Sequence, residues 1–157
     1  MTRQLNLLEL SERVGAIVAR ANGIKRVEYR TLRSINSADL PLVVVVIGSG
    51  NDVVLSSEQH LTTRSIDLNV YVKPQEQGRA YEGYEETLTL LNTLRDVLMS
   101  TPRLELDALN DAPRWFVQLQ FLGDTGFSVL NYDRRAYAGT IITLSAKSYT
   151  DNSFVLP

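Results

Sequence analysis

The sequence contains no cysteine, a single histidine and no apolar run long enough to cross a membrane. Without cysteine there is no disulfide framework, no thiolate metal site and no thiol nucleophile, which removes several enzyme classes together and favours synthesis in a reducing compartment. The lone histidine, His60, excludes a multi-histidine metal centre, and the nearest carboxylate in sequence, Glu58, gives no known ligand spacing. Charge of one sign is also missing as a block. Sixteen Lys+Arg are dispersed among eighteen Asp+Glu for a net charge of −2, so composition announces no nucleic-acid-binding patch. The opening segment, MTRQLNLLELSERVGAIVAR, lacks a continuous apolar core and carries Glu9, Glu12 and Arg13 inside its apolar pattern. It therefore fits neither a signal peptide nor a membrane span, and a soluble cytoplasmic product is expected.

What is present is organised around the stretch from Leu61 to Met99. In LTTRSIDLNVYVKP, Ile66, Leu68, Val70 and Val72 alternate with Asp67, Asn69, Tyr71 and Lys73, the two-residue period of a half-buried strand over 61–73. A Pro- and Gly-bearing break from Pro74 to Gly78 precedes a helix over 81–99, with Tyr84, Leu88, Leu91, Leu94 and Leu98 at spacings of three and four. Upstream, Leu7, Leu10, Val14, Ile17, Val18 and Ala21 form one stripe of a helix over 5–21, with Asn22-Gly23 as a left-handed cap. A short strand is expected over Ile24–Leu32. The β-branched runs Val43–Ile47 and Val53–Leu55 flank Gly48, Ser49, Gly50, Asn51 and Asp52, which predicts a hairpin turning at those five residues. Because Val43–Ile47 is apolar at successive positions, both its faces should be covered, by helices of its own subunit or by a neighbouring molecule. Thr101–Pro113 reads as a short strand or irregular loop, 114–148 as strands and 150–157 as a tail, polar and then abruptly apolar. With 157 residues the chain should form a single domain. The order of elements predicts an α+β fold: a mixed or antiparallel sheet with two main helices packed on one side.

No candidate motif carries chemistry better than it carries structure. Gly48-Ser49-Gly50 follows a strand, as a phosphate loop would, but a strand resumes after it, and neither a helix N-terminus nor a partnering lysine follows at the required spacing. It lacks the flanking pattern of a serine nucleophile elbow as well. Glu82, Glu85 and Glu86 gather where a helix start favours acidic residues, and Asp124 and Asp133 flank turn-like positions. Arg95 lies within the apolar arc of the second helix, where it either snorkels to water or pairs with a carboxylate in a subunit contact, snorkelling being preferred. Arg134-Arg135, between Tyr132 and Tyr137, suits a phosphate or an acidic neighbour, against a default of solvated loop. Phe154-Val155-Leu156 reads as a docked tail or as surface covered by another subunit. Hence no catalytic, cofactor-binding or metal-binding residue is assigned; the candidate interface residues are Arg95, Arg134, Arg135 and Phe154.

The N-terminal amphipathic helix, the strand TTRSIDLNVYVK, the helix GYEETLTLLNTLRDVLMS and the closing strand AYAGTIITLSAKS together resemble the tail terminator (tail completion) proteins of long-tailed bacteriophages. The resemblance spans about Leu5 to Tyr149 and is one of structural pattern, without a catalytic signature. It implies a non-enzymatic virion protein, made in the host bacterial cytoplasm and resident in the tail or neck. Such a protein assembles as a homohexameric ring on the head-proximal end of the tail tube, stops polymerisation and presents a surface to the head connector. Its implied partners are its own copies, the tail tube protein and a head completion protein, with no membrane, no cofactor and no specific nucleic acid, DNA being free to pass through the ring. The segment Thr101–Pro113 and the loop Gly123–Arg135 depart from compact members. Two alternatives stay open: another neck or tube-like component, and a small ligand-binding or enzymatic α+β domain using a pocket between helix and sheet.

Overall fold

The structure, a computed structural model, describes residues 6–30, 32–55, 59–76, 78, 79, 81–106 and 115–151, the side chains of 59, 60, 105, 106, 115, 116 and 149–151 excepted. Helix α1 spans Leu7–Val18 and starts where Asn6 Oδ1 accepts from the amides of Leu8 and Glu9 at 3.1 and 3.2 Å. Its buried row, Leu10, Val14, Ile17 and Val18, follows the expected stripe. The helix stops three residues earlier than the apolar pattern. Ala19 is its C-cap, and Gly23 (φ +100°) instead turns the chain into strand β1, Arg26–Glu28.

A 3-10 turn at Ser37–Asp39 leads to β2 (Leu42–Val54) and β3 (Gln59–Pro74), and α2 (Tyr84–Ser100) follows. Then come β4 (Arg103–Leu106), β5 (Trp115–Asp124), β6 (Ser128–Tyr132) and β7 (Arg135–Asp151). Seven strands among the described residues form one sheet in the order β1-β2-β3-β7-β5-β4, with β6 paired to β7 beside this path. The β1–β2 pair is parallel and the others are antiparallel, so the sheet is mixed and the fold is α+β.

Two expectations change. The hairpin does not turn at Gly48–Asp52: β2 runs through those residues, Gly50 pairs with Arg64, Asn51 with Thr63 and Asp52 with Thr62, and the antiparallel pairing continues to Val54 opposite His60. The register shift between Ile47 and Gly50 gives the glycines their use, because a Cβ on Gly50 would stand 2.3 Å from the Arg64 guanidinium carbon. Likewise Gly123–Arg135 is largely not loop. It contains β6, joined to β7 by Asp133 and Arg134 at φ 47° and 63° in a two-residue connection between the paired Tyr132 and Arg135.

Both helices cover the same sheet face. Val43 and Val45 of β2, Ile66, Leu68, Val70 and Val72 of β3, Ile142, Leu144 and Ala146 of β7, and Val117 and Leu119 of β5 meet α1 and α2 in the main core. Intervening residues point to the opposite face, where Leu42, Val44, Tyr71 and Tyr137 join Ile35 and Leu40 in a second cluster. The apolar run at the start of β2 is thus covered on both faces by its own chain as far as Val45, while Val46 is 40% exposed.

At the second cluster Tyr71 meets Tyr132 and Tyr137 edge-on, at centroid distances of 5.6 and 5.8 Å, and the Tyr132 hydroxyl donates to the Leu32 carbonyl. Burial, reinforced by the neighbouring tyrosines, pushes the Tyr71 hydroxyl above its ordinary pKa of 10.0. The native state then holds a proton that the unfolded chain releases. This contribution is complete below pH 10.0 and is lost as pH rises through the higher native value. Tyr71→Phe should accordingly flatten the fall of stability above pH 10.0, read as urea midpoints across an alkaline series.

Candidate assembly surface

The four residues singled out in the sequence do not form one site. Arg95 is exposed on α2, just outside the buried row Thr87, Leu90, Leu91, Leu94 and Leu98, and its guanidinium carbon lies 5.4 Å from the centroid of Phe121 on β5. The preferred snorkelling geometry is realised with an aromatic face as its support. Arg95→Ala should cost less than about 1 kcal/mol in urea unfolding, the range of an exposed cation–π contact.

Arg134 and Arg135 are exposed at the β6–β7 hairpin. Leu144, the β7 partner of Phe121, is nine residues beyond Arg135, roughly 30 Å along an extended strand, so the arginine pair and Arg95 serve separate regions. Phe154 lies outside the described residues.

Two of the carboxylates have structural partners. Glu82 meets Lys73 at 3.5 Å and Arg79 at 3.7 Å, and Asp124 Oδ1 accepts from the Gly126 amide at 2.8 Å in a local turn. Asp133 sits in the hairpin turn, and His60 falls in β3 opposite Val54 and Thr150, its side chain lying outside the described set. Glu85 and Glu86 do line an open cleft of about 430 Å³ with Asn22, Thr89 and Thr93. That lining offers carboxylates, hydroxyls and an amide, without a cation or a nucleophile–base pair. Among the described residues no group of three His, Cys, Asp or Glu side chains converges as a metal site, and no helix is long and apolar enough to cross a membrane.

The sheet edges are the features that sequence reading missed. β1 covers only Leu42–Val44 of β2, leaving the outer side of Val45–Val54 without a strand partner among the described residues. On the far side β4 covers only Trp115–Gln118 of β5; the Leu119 amide still reaches the Pro102 carbonyl at 2.7 Å, and among the described residues no strand continues beside Gln120–Asp124. Apolar surface accompanies both edges. Val46 and Val53 stand out on β2. Beside β5, Leu122 is 56% and Met99 61% exposed, and Leu98, Met99, Pro102, Leu119, Phe121 and Leu144 line a cleft of about 250 Å³. In sequence the first edge carries no Lys, Arg or Pro from Val45 to Val54, its guards being Asp52 and the register shift between Ile47 and Gly50.

Fold and surface together define a class, an α+β domain whose sheet, among the described residues, ends in unpaired strand on two sides. No protein-family model matches the chain, and no curated protein matches it in sequence.

Proposed function

We propose that this chain is a structural subunit of the tail terminator kind: six copies close a ring on the head-proximal end of a bacteriophage tail tube, end its polymerisation and offer the opposite surface to the head connector. The reading joins the resemblance of layout to one observation, that among the described residues the sheet runs out in unpaired, apolar-flanked strand on both sides. A subunit that acts by assembly needs one surface complementary to its own copy and end surfaces complementary to other partners, and it needs no reaction centre. Arg134 and Arg135, exposed on the β6–β7 hairpin, suit an end surface toward an acidic partner.

Native mass spectrometry and negative-stain images, recorded with and without purified tail tubes, test the reading. Rings of six that seat on one end of the tube are expected. A protein that stays monomeric and never associates with tubes overturns it. Loss of the gene should give overlong or headless tails.

A further inference from the structure

Each strand carries backbone N–H and C=O groups alternately to its left and right, so a strand with a neighbour on one side only presents a ready template for another. The open parts of β2 and β5 are two such templates, and register relates them. Leu119 pairs with Ala146, Ala146 with Arg64 and Arg64 with Gly50. In the same way Phe121 leads through Leu144 and Ile66 to Ile47, and Asp124 through Ile142 and Leu68 to Val45. Two of these rows cross four strands from one open edge to the other, the third ending at Leu119, whose amide Pro102 holds, so Val45–Ile47 of β2 and Phe121–Asp124 of β5 stand at the same height on opposite sides of the sheet. Because β2, β3, β7 and β5 are successively antiparallel, β2 and β5 run in opposite directions. A neighbouring copy in the same orientation therefore brings its β5 edge antiparallel to this β2 edge.

The side chains agree with the backbone. On the helix-covered face Ile47 is level with Phe121, which lines the 250 Å³ cleft with Leu98 and Met99. On the opposite face Val46 is level with Gly123, next to the exposed Leu122. We infer that the outer edge of β2 in one copy adds antiparallel to the outer edge of β5 in a second copy, with Ile47 entering the Phe121–Met99 cleft and Val46 covering Leu122. This rests on the reading of the chain as a ring subunit and assigns the contact that closes the ring. Unlike edges at equal height join head to tail, a heterologous contact that closes into a ring where the rotation between successive copies divides a full turn. Pairing of β2 with a second β2 would stop at a dimer and leave the β5 edge and its cleft uncovered.

Val46→Lys and Leu122→Lys test the contact. Both positions are exposed, so each variant should melt close to wild type, while a lysine set against an added apolar strand should weaken self-association at least about tenfold. Wild type should form closed rings and each variant should be monomeric. Mixed in equal amounts, the variants should give a dimer and nothing larger, because Val46→Lys retains a working β5 edge and Leu122→Lys a working β2 edge. An independent measurement uses the absence of native cysteine: Val46→Cys/Leu122→Cys in one chain, oxidised, should give a covalent ladder ending at ring size, and either single cysteine should give none.

Wild type that remains monomeric at the highest attainable concentration, lysine variants that keep the ring, or Leu122→Lys that dimerises alone each overturn the pairing. Rings that respond as expected yet ignore tail tubes support the pairing and sink the terminator reading. Tube-capping rings that survive both lysines do the reverse.

Discussion

Gly139→Ala should unfold the protein or lower its melting temperature by about 10 °C or more, a cost above roughly 4 kcal/mol. A Cβ placed on Gly139 would stand 2.0 Å from the carbonyl oxygen of Val70, and 3.1 Å from Leu130 Cδ1. The first contact is the decisive one. A side-chain tip can rotate away, but the Val70 carbonyl belongs to the middle of β3, held between β2 and β7. Gly139 also lies opposite Tyr71, next to the register shift between Tyr71 and Lys73, and the Tyr71 ring is fixed by its contacts with Tyr132 and Tyr137. Relief therefore requires parting the longest strand pair of the sheet. With total stability for a domain of this kind on the order of 5–15 kcal/mol, one methyl group removes a large share. Gly123→Ala is the control: nothing lies within 4 Å of the added carbon, and the change should stay within about 0.5 kcal/mol. Circular dichroism melts of the two variants side by side make the comparison, and equal melting temperatures would remove the steric account.

How far the sequence disclosed this architecture differed from element to element. The period-two pattern around Ile66, Leu68, Val70 and Val72 placed β3 correctly because a half-buried strand writes its two faces directly into alternate residues. The α1 stripe was legible for the same reason at period 3.6. Turn chemistry misled at Gly48–Asp52, since glycine serves a bulge under the Arg64 guanidinium as readily as it serves a reversal. At Asp133-Arg134 the turn expected beside Asp133 is present, as a tight connection of two non-glycine residues with positive φ, while the strand β6 leading into it was not separable from a loop on sequence. Of the candidate surface, arginine exposure was legible. The open edges were not, because an edge is a property of which strands pair.

Leu94→Ala should cost about 2–5 kcal/mol, whereas Leu88→Ala should cost no more than about 1.5 kcal/mol. On sequence the two leucines belong to one stripe with Tyr84, Leu91 and Leu98. In the fold the stripe is rotated: the buried row is Thr87, Leu90, Leu91, Leu94 and Leu98, while Tyr84 sits at the surface with its ring edge-on to Phe127 at 5.3 Å. What allows the rotation is Thr87. Its hydroxyl donates to the Gly83 carbonyl at 2.7 Å, so a polar residue faces the core with its hydrogen bond made inside the helix. Leu94, fully buried, lies among the apolar side chains of both helices and the sheet, and truncation there leaves a cavity lined by rigid strand residues that cannot collapse into it. Leu88 is only half-buried and stands outside that cluster, so its loss is filled by water. Urea denaturation of both variants gives the two costs. If Leu88→Ala equalled Leu94→Ala, α2 would be turned toward the sheet by the face its sequence stripe suggests.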